Sequence, residues 1–192
     1  MKVRVKISKG TGMNKEMIKT INPKEFVSKI YQLWDDGWFL LTSGDFVKGH
    51  YNTMTVSWGF FGIMWNKPMA VVVVRPTRFT YEFMEKYDTF TLSSFDENYR
   101  EDLKWLGTKS GRDGDKLANT QLTPVPSTKV AAPTFKEAEL IIECKKTYWN
   151  DFQPQNFLNQ AIEKNYPRKD YHRMYFGEIA TIMGGEKYTV LP

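Results

Sequence analysis

Residues 69–74 read Met-Ala-Val-Val-Val-Val, apolar at every position. A strand that alternates apolar and polar residues hides one face and wets the other. A run that is apolar throughout must be covered on both. The segment therefore predicts a central strand, in a sheet that carries packed material on each side. It ends in Arg75-Pro76-Thr77-Arg78, where a rigid proline sets two guanidinium groups at the point where the chain leaves the interior.

Other segments supply partners for that strand. Residues 38–43, 52–58, 89–95, 138–148 and 171–183 have strand-like composition and are bounded by glycine, asparagine, aspartate or proline. Residues 44–51 and 59–68 read as connections that contain glycines, the second rich in aromatics. Asn22-Pro23-Lys24-Glu25 has the order of a helix start, and Phe26, Val27, Ile30, Leu33 and Trp34 follow at helical spacing. A short helix over 77–86, capped by Thr77 or a neighbour, and another from Asp96 through Leu106, ended by Gly107, complete the helical content. Residues 123–133 carry three prolines and are expected to be extended and exposed. Residues 150–170 form an excursion with a short helix around Phe157, Leu158, Ala161 and Ile162. The reading is one mainly β domain with short helices, an antiparallel barrel.

A chain of 192 residues with 41% hydrophobic and 26% charged residues suits a single domain with a sizeable core. The aromatic share of 15% is enough to build a ring-binding pocket or a dimer seam as well as core. Cys144 is the single cysteine, which excludes an intrachain disulfide and a multi-cysteine metal site. Its strand-like setting predicts a buried, inert thiol. No apolar run approaches membrane-spanning length, and no continuous signal-peptide core opens the chain, so a cytoplasmic protein without a membrane partner is expected. The net charge of +5 favours anionic ligands. The lysines are dispersed and no nucleic-acid motif is present, so the reading is a solvated basic surface and no nucleic-acid partner. Residues 1–12 alternate Val3, Val5 and Ile7 with basic residues, as an extra edge strand or a basic arm would, and Met13 is an alternative start of the domain.

The chain lacks a glycine-rich dinucleotide fingerprint, a phosphate loop ending in Gly-Lys-Ser/Thr and a His-Glu-x-x-His pair. It has two histidines, His50 and His172. Its own side chains therefore offer little independent chemistry, and a borrowed cofactor or no catalysis at all is expected. Arg75 and Arg78 around Pro76-Thr77, just before a helix N-terminus, suit a phosphate monoester. The equal alternative is that Arg75 merely caps the strand and Arg78 pairs with Glu82 at helical spacing. Asn52, Thr53, Met54, Thr55, Ser57 and Trp58 place hydroxyls and an amide next to an indole, although threonines on a strand are often there only as good strand formers. Ser110-Gly111-Arg112 offers a further guanidinium on a flexible backbone.

Taken in order, these pieces resemble the flavin reductase-like, FMN-binding split-barrel family, in its flavoredoxin-like branch. The matching segments are residues 36–42, 52–59, 65–68, 74–78, 90–93, 109–113 and 172–179. The resemblance implies a flavin reductase-like domain over 22–185, with an N-terminal arm or strand over 1–21 and a tail over 186–192. It implies a homodimer with FMN near the subunit interface. Thr53, Met54, Thr55, Ser57 and Trp58 would line the flavin, Arg75, Pro76, Thr77 and Arg78 would surround the phosphate, and Ser110, Gly111 and Arg112 would close over it. His172 would lie near the ring or the nicotinamide position, as the candidate catalytic residue. The implied activity is hydride transfer from NADH or NADPH to FMN N5. The alternative is a flavoredoxin-like electron-transfer protein served by a redox partner such as ferredoxin, or an oxygenase as acceptor. A basic binding module without cofactor is a third reading.

Overall fold

The computed structural model describes residues 18–189; the strand or arm expected over residues 1–12, and the alternative start at Met13, lie outside them. In chain order the elements are β1 (Lys19–Ile21), α1 (Ile30–Gln32), β2 (Phe39–Asp45), β3 (His50–Val56), β4 (Gly59–Met64) and β5 (Lys67–Val74). They continue with α2 (Phe79–Lys86), β6 (Thr89–Ser94), α3 (Arg100–Thr108), β7 (Pro124–Val125), β8 (Thr134–Phe135), β9 (Leu140–Asp151) and β10 (Arg173–Gly184).

Every second residue of the main strands points to one interior. Phe39 and Leu41 of β2, Met54 and Val56 of β3, Ala70, Val72 and Val74 of β5, Phe90 and Leu92 of β6, and Leu140, Ile142 and Cys144 of β9 all belong to a single buried cluster. That period of two is the strand signature, and it curls one antiparallel sheet around its own core. The sheet order is β3-β2-β6-β9-β10-β5-β4, with β1 pairing the far end of β10. The run that opened the sequence reading is buried on both faces as expected. Ala70, Val72 and Val74 face the barrel core, while Met69 and Val71 face outward onto Phe176 and Met174. Leu40 and Ile141 project to a second outward cluster, roofed by Leu103 and Leu106 of α3 and by Leu122 and Phe135. Burial pushes the Cys144 thiol up, in agreement with an inert core cysteine.

Three local expectations are corrected. The helix expected from Asn22 is reduced to α1 and a π-turn over Leu33–Gly37. Asn22 does turn the chain, its Oδ1 accepting from the Lys24 N–H at 3.1 Å. The Val27 N–H, however, donates to the Tyr188 carbonyl at 2.9 Å, so a tertiary bond replaces the helical one. Residues 59–68 are not a loop. They contain β4 and the start of β5, joined by a tight turn at Trp65 and Asn66, which both have positive φ. The periodicity was hidden because β4 is an edge strand whose apolar residues Phe60, Ile63 and Met64 are exposed. Gly107 does not end its helix, which runs on to Thr108. A Cβ at Gly107 would lie 3.1 Å from Thr55 Cβ, so the glycine permits α3 to press against β3.

Among the described residues no helix is long and apolar enough to cross a membrane, and no group of His, Cys, Asp or Glu side chains could hold a metal ion.

Candidate functional site

The sheet order leaves β3 at one end and β4 at the other. Val56 closes β3, and β4 pairs β5 only as far as Val72. Beyond those points the end of β3 faces the end of β5 without a shared ladder. A groove of about 280 Å³ lies there, lined by Met54, Thr55, Ser57 and Trp58 on one side and by Val73 and Arg75 on the other, with His172 closing it. A strand end without a partner leaves backbone N–H and C=O groups free for a ligand.

The groove leads through Met54 and Arg78 into a crevice of about 80 Å³. Thr77, Arg78 and the first residues of α2 form one wall; Thr108, Ser110 and Gly111 form the other. Lys116, 7% exposed, sits in its floor. The Lys116 ammonium donates to the Leu106 carbonyl at 2.9 Å and the Lys109 carbonyl at 3.1 Å. Arg78 Nη1 donates to the Gly107 carbonyl at 3.2 Å. Neither cation has a carboxylate partner among the described residues. Burial, and after it the Arg78 charge, pull the Lys116 pKa down to about 8. Two cations held together with neutral partners make a site that an anion would relieve.

The other sequence candidates divide between these two spaces and positions outside them. Asn52 lines the crevice, and its Nδ2 donates to Thr80 Oγ1 at 2.7 Å. Thr53 is buried, its hydroxyl donating to the Leu41 carbonyl at 3.0 Å, so that oxygen belongs to the sheet. The Thr55 hydroxyl donates to the Leu103 carbonyl at 2.5 Å. Thr77 lines the crevice, but the N-cap position of α2 is Arg78 and no side chain caps the helix there. Ser110 lines the crevice and its Oγ accepts from the Arg112 N–H at 3.2 Å. Arg75 reaches the groove already paired to Asp170 at 2.8 Å. Arg112 is turned toward Glu82 and the Thr77 carbonyl, so Glu82 pairs with Arg112 and not with Arg78. Pro76 and Arg112 line neither space. Sequence reasoning missed Lys116 altogether. In Gly-Asp-Lys it looks like a surface lysine, and only the fold buries it.

His172 is nearly buried and its Nδ1 lies 2.9 Å from the Tyr166 hydroxyl, with the Trp58 ring 5.1 Å away. Burial, and after it the Arg75 charge, hold its pKa down to about 4, so the imidazole is neutral at neutral pH. The sign of the linked stability follows. Between pH 6.5 and 4 the unfolded chain binds the proton and the folded chain does not, so stability falls as the pH drops through that window. The contribution is about 1–2 kcal/mol after allowance for solvent screening. Urea midpoints at pH 7 and pH 4.5 should fall further in the native protein than in His172→Asn; equal falls would contradict the assignment.

Comparison with known proteins fits this geometry. Residues 35–153 match the family described as flavin reductase like domain, and the chain belongs to that family. A protein of Pyrococcus abyssi is 34% identical over 65% of this chain and 73% of its own. The flavoredoxin of Desulfovibrio vulgaris (Miyazaki F) superposes with a TM-score of 0.61 at 22% identity, over 94% of this chain and 78% of its own. The NADH:FAD oxidoreductase of Streptomyces globisporus C-1027 gives 0.58 at 15% identity, over 76% and 74%. The fold is thus the antiparallel split barrel of the flavin reductase-like proteins.

Proposed function

We propose that this protein binds FMN, with the ring in the groove and the phosphate in the crevice, and that it works as an NAD(P)H-dependent flavin reductase. The observation that carries the reading is the pair Arg78 and Lys116, two cations with no carboxylate partner among the described residues, adjoining a groove of ring size. Bound FMN would supply hydride and electron chemistry that the chain's own side chains lack. Arg78, Lys116 and the first turn of α2 hold the phosphate. Backbone groups at the end of β3 meet the polar edge of the ring. Trp58 and His172 wall it, and His172, being uncharged, offers a hydrogen bond without adding a further positive charge. Trp58 is 47% exposed, so one side of the groove is open to a second planar ring, which suits catalysis by positioning.

The test is an anaerobic titration of the FMN-loaded protein with NADH and then NADPH, followed at the visible flavin band. Bleaching by either nicotinamide is the expected result. A bound flavin that stays oxidised with both would overturn the reductase assignment and leave an electron-transfer protein reduced by a protein donor.

The assembly is proposed to be a homodimer. Phe60 and Met64 are exposed on one face of β4, and Trp65 of the β4–β5 turn, also exposed, lies 6.1 Å from the ring of exposed Tyr148 of β9, an apolar edge of the kind that monomers seldom leave bare. Sedimentation equilibrium should give twice the chain mass; a single-chain mass at micromolar concentration would contradict it.

A further inference from the structure

The excursion between β9 and β10 holds a buried phenol outside both spaces. Tyr166 is 3% exposed and lines neither the groove nor the crevice. Its hydroxyl lies 2.9 Å from His172 Nδ1, whereas His172 itself lines the groove. The other imidazole nitrogen, Nε2, has no hydrogen-bond partner among the described residues. It is not sealed away, because the one side-chain polar atom among them that is both buried and unpartnered is Trp34 Nε1. His172 thus turns a bonded nitrogen to the excursion and an open one to the groove.

Counting donors settles where the imidazole proton sits. A phenol carries one hydrogen, and a neutral imidazole carries one hydrogen and one ring lone pair. Burial above all raises the Tyr166 pKa, so the phenol keeps its hydrogen. If Nδ1 donated, that hydrogen would lack an acceptor among the described residues, at about 1–3 kcal/mol. If the phenol donates, both groups are satisfied and the imidazole proton is left on Nε2.

The phenol is held firmly enough to impose that choice. Its ring stacks on Phe157, with 6.0 Å between centroids and 12° between planes. The Arg75 guanidinium carbon lies 4.9 Å over it. The Tyr166 N–H donates to the Glu163 carbonyl at 2.8 Å, and its carbonyl accepts from the Lys169 N–H at 2.9 Å. Arg75 also donates to the Asn165 carbonyl and to Asp170, each at 2.8 Å. The end of β5 therefore pins this part of the excursion against the groove, which gives Arg75 work apart from any phosphate.

We propose that Tyr166 is a positioning residue: its hydroxyl donates to His172 Nδ1, fixes the imidazole as the Nε2–H tautomer, and makes His172 a neutral hydrogen-bond donor aimed into the groove. What receives that hydrogen bond rests on the flavin reading above. A ring that gains negative charge on reduction is favoured by a fixed donor beside it.

The test uses Tyr166→Phe, which keeps the ring stack and removes the hydroxyl alone. Nitrogen–proton correlation spectra of the flavin-free full chain at pH 7 report the tautomer directly. The chain has two histidines, and His172→Asn identifies the signals. Native His172 should show a protonated Nε2 and a bare Nδ1, and the phenylalanine variant should show both tautomers in exchange. A protonated Nδ1 in the native chain, or one unchanged tautomer in the variant, would overturn the inference. In the FMN-loaded chain, Tyr166→Phe should weaken reduced FMN about fivefold more than oxidised FMN, read as a lower midpoint potential. An unchanged midpoint would overturn the positioning role. Failure of the native chain to bind FMN would overturn the flavin reading, while the spectra, recorded without flavin, still decide the tautomer.

Discussion

Replacing Arg78 with alanine should weaken FMN binding by about 100-fold and leave riboflavin, which lacks the phosphate, within about twofold of its native affinity. The guanidinium lies where groove and crevice meet, and among the described residues its hydrogen bond goes to the Gly107 carbonyl. Charge-assisted hydrogen bonds to a phosphate contribute about 1.5–3 kcal/mol each, and a planar guanidinium can make two in parallel. Arg78→Lys should recover part of the loss, because charge survives while the fork is lost. Lys116 cannot compensate fully. Its ammonium is already engaged by two carbonyls, and its remaining donor capacity is a single hydrogen. Removing Arg78 also removes the second of the two influences that depress the Lys116 pKa, so the lysine in Arg78→Ala should titrate above about 8. Equal losses for FMN and riboflavin would show that Arg78 supports the loop and not the phosphate.

The largest stability effect should come from Glu143→Ala. Glu143 stands in the first third of β9, wholly buried, opposite Thr91 on one side and Thr181 on the other. Its carboxylate accepts from the Thr128 N–H at 2.8 Å, the Thr128 hydroxyl at 3.0 Å and the Lys129 N–H at 2.6 Å. One side chain thus ties the proline-rich segment of residues 123–133 to the barrel wall. Alanine would strip the acceptors from two backbone N–H groups and open a void, a loss of about 3–5 kcal/mol. For a chain of this size that lowers the thermal midpoint by about 6–20 °C. Glu143→Gln keeps one acceptor and the shape, and should lose roughly half as much. A midpoint within about 2 °C of native for the alanine variant would mean that the segment is held by its other contacts.

Most of the barrel was legible because its strands obey one simple rule. Phe39 and Leu41, Met54 and Val56, and Leu140, Ile142 and Cys144 alternate as a half-buried strand should, and residues 69–74 advertise burial on both faces. What failed was wherever tertiary partners decide. The segment after Asn22 has helical spacing, yet Phe26 stacks on Tyr188 and meets Phe61 edge-on, and the Val27 N–H goes to the Tyr188 carbonyl. A residue more than 160 positions away could not be read from the local pattern. β4 was missed for the opposite reason, since its apolar residues stay exposed at a sheet edge.

The site divides in the same way. Arg78 was readable from its place between a buried strand and a helix start. That Arg75 arrives already paired to Asp170, and that Arg112 is spent on Glu82, depended on residues distant in sequence. Lys116 had no local signal. A lone lysine in a polar loop becomes notable only once the fold has taken it out of water.

The central claim is that the crevice at Arg78 and Lys116 is built for the phosphate of a flavin. The most direct test is an equilibrium titration of the native full chain with FMN and with riboflavin, followed by quenching of flavin fluorescence. Two cationic partners should make FMN the tighter ligand by about 100-fold or more, with the gap narrowing as salt is raised. Equal affinity for the two flavins, or a gap indifferent to salt, would contradict the account.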